Sequence, residues 1–184
     1  MTETSVPAPA SASVTIRRLD AGEAAALVEA LADVLIDCVQ GGASVSFMWP
    51  LTRGKAVAFW RGVVESAGRG ERVLLVAEDA DGVVVGTAQL VTDLPENQPH
   101  RGEVSKMLVH RKARRQGVAQ RLLAAVEETA RAAGKTVLVL DTATGGDAER
   151  LYARAGWVLV GTVPDFALMP DGALCGTTIF CKRL

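Results

Sequence analysis

The chain has 184 residues and a mass of 19.3 kDa, room for one domain of ordinary size with a short tail. Hydrophobic residues make up 49% and charged residues 22%, which excludes a chain too polar to build a core, and no run of uninterrupted apolar residues is long enough for a membrane span. Net charge is −1, so no global basic field recruits nucleic acid, yet six of the 20 Lys/Arg and none of the 21 acidic residues fall between Lys106 and Arg121.

Residues 1–13 are rich in Ala, Ser, Pro and Thr and are expected to form a disordered tail ahead of a domain over 14–184. The opening residues lack the basic and apolar regions of a signal peptide. Val14–Arg18 reads as a first strand and Asp20 as the cap of a helix carrying Leu27, Leu31, Val34, Leu35 and Cys38 at helical spacing. That helix stops at Gly41-Gly42. A second helix is predicted from about Thr52 to Ala67. Two strands follow, Arg72–Glu78 and Val83–Val91, joined by a turn at Asp79-Ala80-Asp81-Gly82. A loop over Leu94–Gly102 leads to a third strand, Glu103–His110, and a helix over about Arg115–Ala133 that Gly134 ends. Thr136–Asp141 reads as a strand buried on both faces, and Asp147–Ala155 as a short helix. Strands at Trp157–Val163 and Thr177–Lys182 close the chain. The pattern is α/β in a single domain, with a central mixed, twisted sheet flanked by helices.

The basic stripe sits where the strand from Glu103 runs into Arg114-Arg115-Gln116-Gly117-Val118-Ala119 and a helix begins. A helix start leaves backbone N–H groups unpaired and carries a partial positive charge. A glycine there lets backbone approach an anion closely, and arginines add bidentate contacts, so the segment reads as a cradle for a pyrophosphate. A valine in place of Gly117 is expected to occupy the ligand's volume without cost to the helix. Neither a Walker A loop nor a Gly-x-Gly-x-x-Gly fingerprint is present. The three cysteines, Cys38, Cys175 and Cys181, have no paired spacing, which fits thiols in a reducing cytoplasm. His100 and His110 have no partners at ligand spacing, so no metal is expected.

Arg114-x-x-Gly117-x-Ala119 resembles the Arg/Gln-x-x-Gly-x-Gly/Ala signature of the GNAT superfamily of acetyl-CoA-dependent N-acetyltransferases. Ala148-x-x-x-Tyr152-x-x-x-Gly156-Trp157 is similar to a second segment of that superfamily, and the element order fits over roughly 14–184. The segment Gly-Gly-Ala-Ser-Val-Ser-Phe-Met at residues 41–48, with Leu140-Asp141-Thr142, further resembles the tabtoxin-resistance acetyltransferases.

The resemblance implies that the amides of Arg115, Gln116, Gly117, Val118 and Ala119 hold the CoA pyrophosphate, with Arg114 beside them, and that the backbone of Met107, Leu108 and Val109 pairs with pantetheine. Ala148 belongs to the same cofactor wall, and the Met107 amide would face the thioester carbonyl oxygen. Donors aimed at a developing oxyanion are worth roughly 3–4 kcal/mol each. Glu103, eleven residues before Arg114, matches a glutamate that serves some members as general base. Asp141 ends a buried strand where α/β proteins bind ligands and could orient or deprotonate the amine; which of the two is the principal base stays open. Tyr152, the single tyrosine, matches the residue that protonates the departing thiolate. Many members carry asparagine where Gly145 stands, so that contact is missing or made otherwise. Ser46, Phe47, Met48 and Trp49 match the region that covers the acceptor pocket.

The expected activity is transfer of acetyl from acetyl-CoA to a primary amine, a small antibiotic-like, toxin-like or amino-acid-like compound, by direct attack in a ternary complex. No Cys or Ser stands beside a His to serve as an acyl carrier. The rivals are a non-catalytic CoA- or metabolite-binding module, and an acetyltransferase of protein N-termini or lysines. The expected partners are CoA and the amine, with a homodimer left open. Nucleic acid is disfavoured because the residues outside the stripe are 14 basic against 21 acidic and no aromatics interleave the arginines, and no membrane is expected.

Overall fold

The computed structural model describes residues 14–184; the tail expected over 1–13 lies outside the described residues. Asp20 follows β1 (Thr15–Leu19) and opens α1 (Ala21–Ala26) with a capping box. Its carboxylate accepts from the Glu23 amide at 2.8 Å, and the Glu23 carboxylate accepts from the Asp20 amide at 2.9 Å. The single helix read from the periodicity is in fact two. Leu27 leaves helical geometry at φ −99°, ψ 6°, and α2 (Val28–Gln40) starts after it. The break lets α1 rest on α3 through small alanines, while α2 aims Leu31, Val34, Leu35 and Cys38 at the sheet.

Thr52 caps α3 (Arg53–Gly68), and Asp79 ties the turn between β2 (Arg72–Glu78) and β3 (Val84–Val91) by accepting from the Asp81 and Val83 amides. The third long strand, β4 (Arg101–Val109), starts two residues before Glu103, because Arg101 and Gly102 already pair with Val137 and Leu138 of β5 (Val137–Ala143). A 3₁₀ turn at Arg111–Ala113 precedes α4 (Val118–Ala132). The helix starts at Val118 rather than Arg115, since Arg115 (φ +61°) and Gly117 (φ +76°) hold left-handed backbone that no α-helix contains. After α5 (Asp147–Arg154), β6 (Val158–Leu168) and β7 (Leu174–Arg183) form a hairpin longer than predicted. The strand continues past Val163 through Pro164, which is accommodated because β6 is an edge strand with an irregular register between Val163 and Ala167.

The seven strands lie in the order β1-β2-β3-β4-β5-β7-β6, antiparallel except for β4 beside β5. This is the mixed sheet expected, with helices on both faces. Val85, Leu90, Val104, Leu138 and Leu140 join Leu122 and Val126 of α4 and Tyr152 of α5 in one core. Leu74, Val76 and Leu108 join Leu31, Leu35 and Trp60 of α2 and α3 in the other. Gly86 brings α4 close to the sheet: a Cβ there would stand 3.0 Å from the Leu108 carbonyl oxygen and 3.3 Å or less from Leu122 and Val118 side-chain carbons.

One largely buried ion pair ties α4 to β7, the strand next to the sheet edge. The Glu127 carboxylate accepts from Lys182 Nζ at 2.7 Å on both oxygens and from the Trp157 indole at 3.0 Å. Lys182 Nζ also donates to the Ala155 carbonyl at 2.8 Å. Removing Lys182 leaves the Glu127 carboxylate only the Trp157 indole and the more distant Arg131, at 4.0 Å. Lys182→Met should therefore lower stability by roughly 3–5 kcal/mol, and adding Glu127→Leu should recover most of it. Denaturant melts of the two variants check this, and equal loss in both would mean the pair is not buried enough to matter.

Candidate active site

The parallel pairing of β4 with β5 is brief. It covers Arg101–Glu103 against Val137–Val139, and beyond that point the strands share no register. Their divergence opens a cleft of about 1150 Å³. On its β3 side β4 also carries a bulge: Thr87 pairs with Leu108 but Gln89 with Ser105, and Lys106 at the extra position has φ +48°. The β4 backbone beyond Glu103 therefore faces the gap with no β5 partner, an edge suited to an extended ligand.

The basic loop forms one wall. Buried Ala113 anchors it. The Arg111 amide and Nε donate to the Asp37 carboxylate at 2.7 and 2.8 Å, and its Nη2 donates to Gln40 at 3.0 Å. Burial pushes the Asp37 carboxyl up, but the Arg111 hydrogen bonds, with the charges of His110 and Arg111, bring it below its ordinary value. Arg114 Nε donates to the Val109 carbonyl at 3.2 Å, and the buried Cys38 thiol donates to the same oxygen at 3.5 Å. Burial pushes that thiol up, against the pull of Arg114. Two arginines of the stripe thus fix the loop in place, and Arg115 is exposed with no ion pair among the described residues. Gly117 precedes α4 with an exposed, left-handed backbone. A Cβ there would meet no atom within 4 Å, so space is open; the φ of +76° is what a side chain would strain. The expectation that valine costs the fold nothing is therefore wrong.

The opposite wall is α5. Its first turn is held from below by Glu149, which accepts from the Gly145 amide at 2.8 Å and from the Thr178 hydroxyl. Glu149 thus steadies the turn in which Gly145 replaces the family's asparagine. Tyr152 is 4% exposed, between Trp157 and Phe180 with ring centroids 5.9 and 5.8 Å away. Its hydroxyl has no hydrogen-bond partner among the described residues. Burial, then the charge of Asp141, pushes it up to about 12.

The loop at 41–49 and the β6–β7 hairpin form a roof. Ser44 donates to the Leu168 carbonyl, and the Trp49 amide to the Pro170 carbonyl, each at 3.0 Å. Ser46, Phe47, Met48 and Phe166 to Met169 line the cleft beneath.

Of the residues predicted for cofactor contact, Met107, Leu108, Val109, Arg114, Arg115, Gly117, Val118, Ala119, Ala148 and Tyr152 all line this cleft. Gln116 does not; its side chain turns back to donate to the Lys112 carbonyl at 3.2 Å. Asp141 is exposed within the cleft, where Thr177 Oγ1 donates to it at 3.4 Å. Glu103 lies outside the lining; its carboxylate is 3.4 Å from Arg101, with 43% of the side chain exposed. Lys106, Glu149 and the β6–β7 hairpin were missed as site elements. Lys106 was counted only as charge, and the hairpin's signal lies in the turn sequence Pro170-Asp171-Gly172. Among the described residues no group of three or more His, Cys, Asp or Glu could hold a metal, and no helix is long and apolar enough to cross a membrane.

A model of the acetyltransferase (GNAT) family matches residues 29–157. An uncharacterized N-acetyltransferase from the hisH-hisA intergenic region of Azospirillum brasilense is 38% identical over 130 residues, which cover 70% of this chain and 74% of that protein. Among solved structures, a ribosomal-protein-alanine N-acetyltransferase from Brucella melitensis superposes with a TM-score of 0.76 at 27% identity, over 92% of this chain and 99% of that one. A GNAT superfamily phosphinothricin acetyltransferase from Sinorhizobium meliloti, in complex with acetyl-CoA, superposes with a TM-score of 0.76 at 18% identity, over 93% and 88% of the two chains. The splayed strands, the basic loop and these likenesses agree: the chain belongs to the acetyltransferase (GNAT) family and is an acetyl-CoA-dependent N-acetyltransferase.

Proposed function

We propose that the acceptor is a small primary amine and that it attacks acetyl-CoA directly, both bound at once. The observation that carries this reading is the roofed cleft, which joins the basic loop to the side chains of Asp141 and Tyr152 under one cover. The roof contacts between 44–49 and 168–170 favour a small molecule over a protein terminus, and the tabtoxin-resistance likeness lies in the same roof segment. A protein acceptor is the second reading, supported by the name of the Brucella relative. A thiol-release screen of amines with acetyl-CoA tests the proposal, and release with protein N-termini alone would overturn it.

Acetyl-CoA supplies the activated acetyl group. The chain's residues bind it, orient it and move protons. The loop amides from Arg115 to Ala119 and the start of α4 suit the pyrophosphate, and the unpaired edge of β4 from Met107 suits the pantetheine arm. A C–N bond forms as the C–S bond breaks. The amine proton passes to a carboxylate, for which Asp141 in the cleft is better placed than Glu103 outside it. The Tyr152 hydroxyl, held in its protonated form by burial, gives its proton to the departing sulfur and regains one from solvent as the site resets. For localisation we keep the cytoplasm, on three free thiols. For assembly we keep a homodimer: edge strand β6 leaves Val158, Leu159 and Val160 each more than half exposed, and its open backbone can pair with a second copy.

Asp141→Asn should lower turnover at neutral pH by roughly 10²-fold or more with CoA affinity retained, and Glu103→Gln should cost less. Steady-state rates beside calorimetric CoA titrations check the order; the reverse order would assign the base to Glu103 through water. Gly117→Asn, which tolerates left-handed backbone, should fold and lose CoA affinity, whereas Gly117→Val should also lose stability by about 1–3 kcal/mol. Thermal melts and CoA titrations separate the two, and normal CoA binding in both would move the phosphate site elsewhere. Sedimentation velocity should show a dimer that Val160→Lys converts to monomer; a monomeric wild type removes that proposal.

A further inference from the structure

Lys106 rises from the β4 bulge on the face of the sheet that α1, α2 and α3 cover. Strand alternation places Glu103 and Asp141 on that same face, because Val104, Leu138 and Leu140 enter the opposite core. Lys106 Nζ donates to Ser46 Oγ, in the roof, at 3.2 Å. It also lies 5.8 Å from the centroid of the Phe59 ring of α3. Phe59 is itself held edge-on by Phe47 and Trp60, with centroids 5.2 Å away in each case. The half-buried ammonium has no ion pair within 4 Å among the described residues, and Ser46 is its only hydrogen-bond partner there. Burial lowers its pKa, opposed by the charge of Asp141, reinforced by Arg72 and opposed again by Glu103. A partly desolvated cation with spare donors in a substrate cleft is costly until an anion completes it.

We propose that Lys106 and Ser46 form the anion-recognition site of the acceptor end, and that the acceptor amine carries a carboxylate which they bind. This inference deepens the acetyl-transfer reading and rests on it. The anion is the acceptor's rather than the cofactor's, because Lys106 reaches toward the roof and α3, away from the basic loop that suits the pyrophosphate. One ammonium and one hydroxyl match the two oxygens of a carboxylate. Asp141, on the next strand and the same face, offers the opposite charge to the amine. The pair of charges selects a zwitterion, an amino-acid-like molecule, whereas Asp141 without Lys106 would draw plain cations.

The test compares α-, β- and γ-amino acids with their carboxamides, in which the negative charge is removed. In the wild type kcat/KM should favour the acids by about tenfold or more, the worth of one charge-assisted hydrogen bond. Lys106→Met should collapse that ratio through KM for the acids, Ser46→Ala should reduce it less, and Lys106→Arg should restore part of it. Equal use of acids and amides by the wild type overturns the proposal. So does a Lys106→Met variant that loses kcat on both series with an altered pH profile, which would make Lys106 a base. Weakened CoA binding in that variant would make Lys106 a cofactor contact instead. Calorimetric titration of the amino acids in the presence of CoA reads the site without turnover. Binding lost in Lys106→Met, beside wild-type binding but no acetyl transfer, would uphold this site and overturn the reaction. Absence of wild-type binding across the series, with acetyl transfer to other amines intact, would overturn this site alone.

Discussion

A parallel strand pair that lasts three residues is the constraint on which the rest depends. β4 and β5 pair from Arg101 to Glu103 and then part, and every feature of the site is arranged around the gap. A longer pairing would satisfy more backbone hydrogen bonds and would leave no cleft. The sheet instead gives up ladder bonds at its centre, where burial makes them most valuable, and offers the open edge to a ligand that can supply them. The β4 bulge works with the splay, since it re-aims Lys106 toward the roof while Leu108 returns to the core.

A gap in the middle of a sheet must be held from outside. Arg111 on Asp37 and Arg114 on the Val109 carbonyl fasten the basic loop to α2 and to the end of β4. Glu149 fastens the start of α5 to β7 through Thr178. Glu127, Lys182 and Trp157 fasten α4 to the strands beyond the gap. Apart from the local Arg114–Val109 bond, these contacts use charge-assisted hydrogen bonds between elements far apart in sequence, the kind of tie that keeps its direction as well as its distance. Part of the positive charge that suggests an anion site is therefore spent on architecture, and the helix start and Arg115 are left for the ligand.

The arginines of the cleft lie on the basic loop and on α5, and two further charges stand on the sheet. Asp141 stands exposed at one position and Lys106 half-buried at another, with aromatic rings behind the lysine and apolar side chains around Tyr152. Low polarity between them strengthens each charge's hold on a complementary group. The same burial raises the pKa of the Tyr152 hydroxyl, so it holds its proton until a thiolate beside it draws it off.

The α/β class, the order of most elements, the basic loop before α4 and the residues of the family signature are legible in the amino acids alone. These are local properties: period, capping and glycine placement act within a few residues. Asp20 and Glu23 show how completely a short motif can specify a helix start. The break at Leu27, the full length of β6 and β7, the bulge at Lys106 and the position of Glu103 outside the cleft emerge only once the chain is folded. Each of these turns on pairing or packing between segments distant in the chain. Pro164 illustrates the difference: locally it ends a strand, yet on a sheet edge with no outer neighbour its missing N–H deprives no ladder. Lys106 illustrates it at the site, where a residue that reads as one more surface charge becomes a cleft residue because a register shift, set by β3, turns it inward.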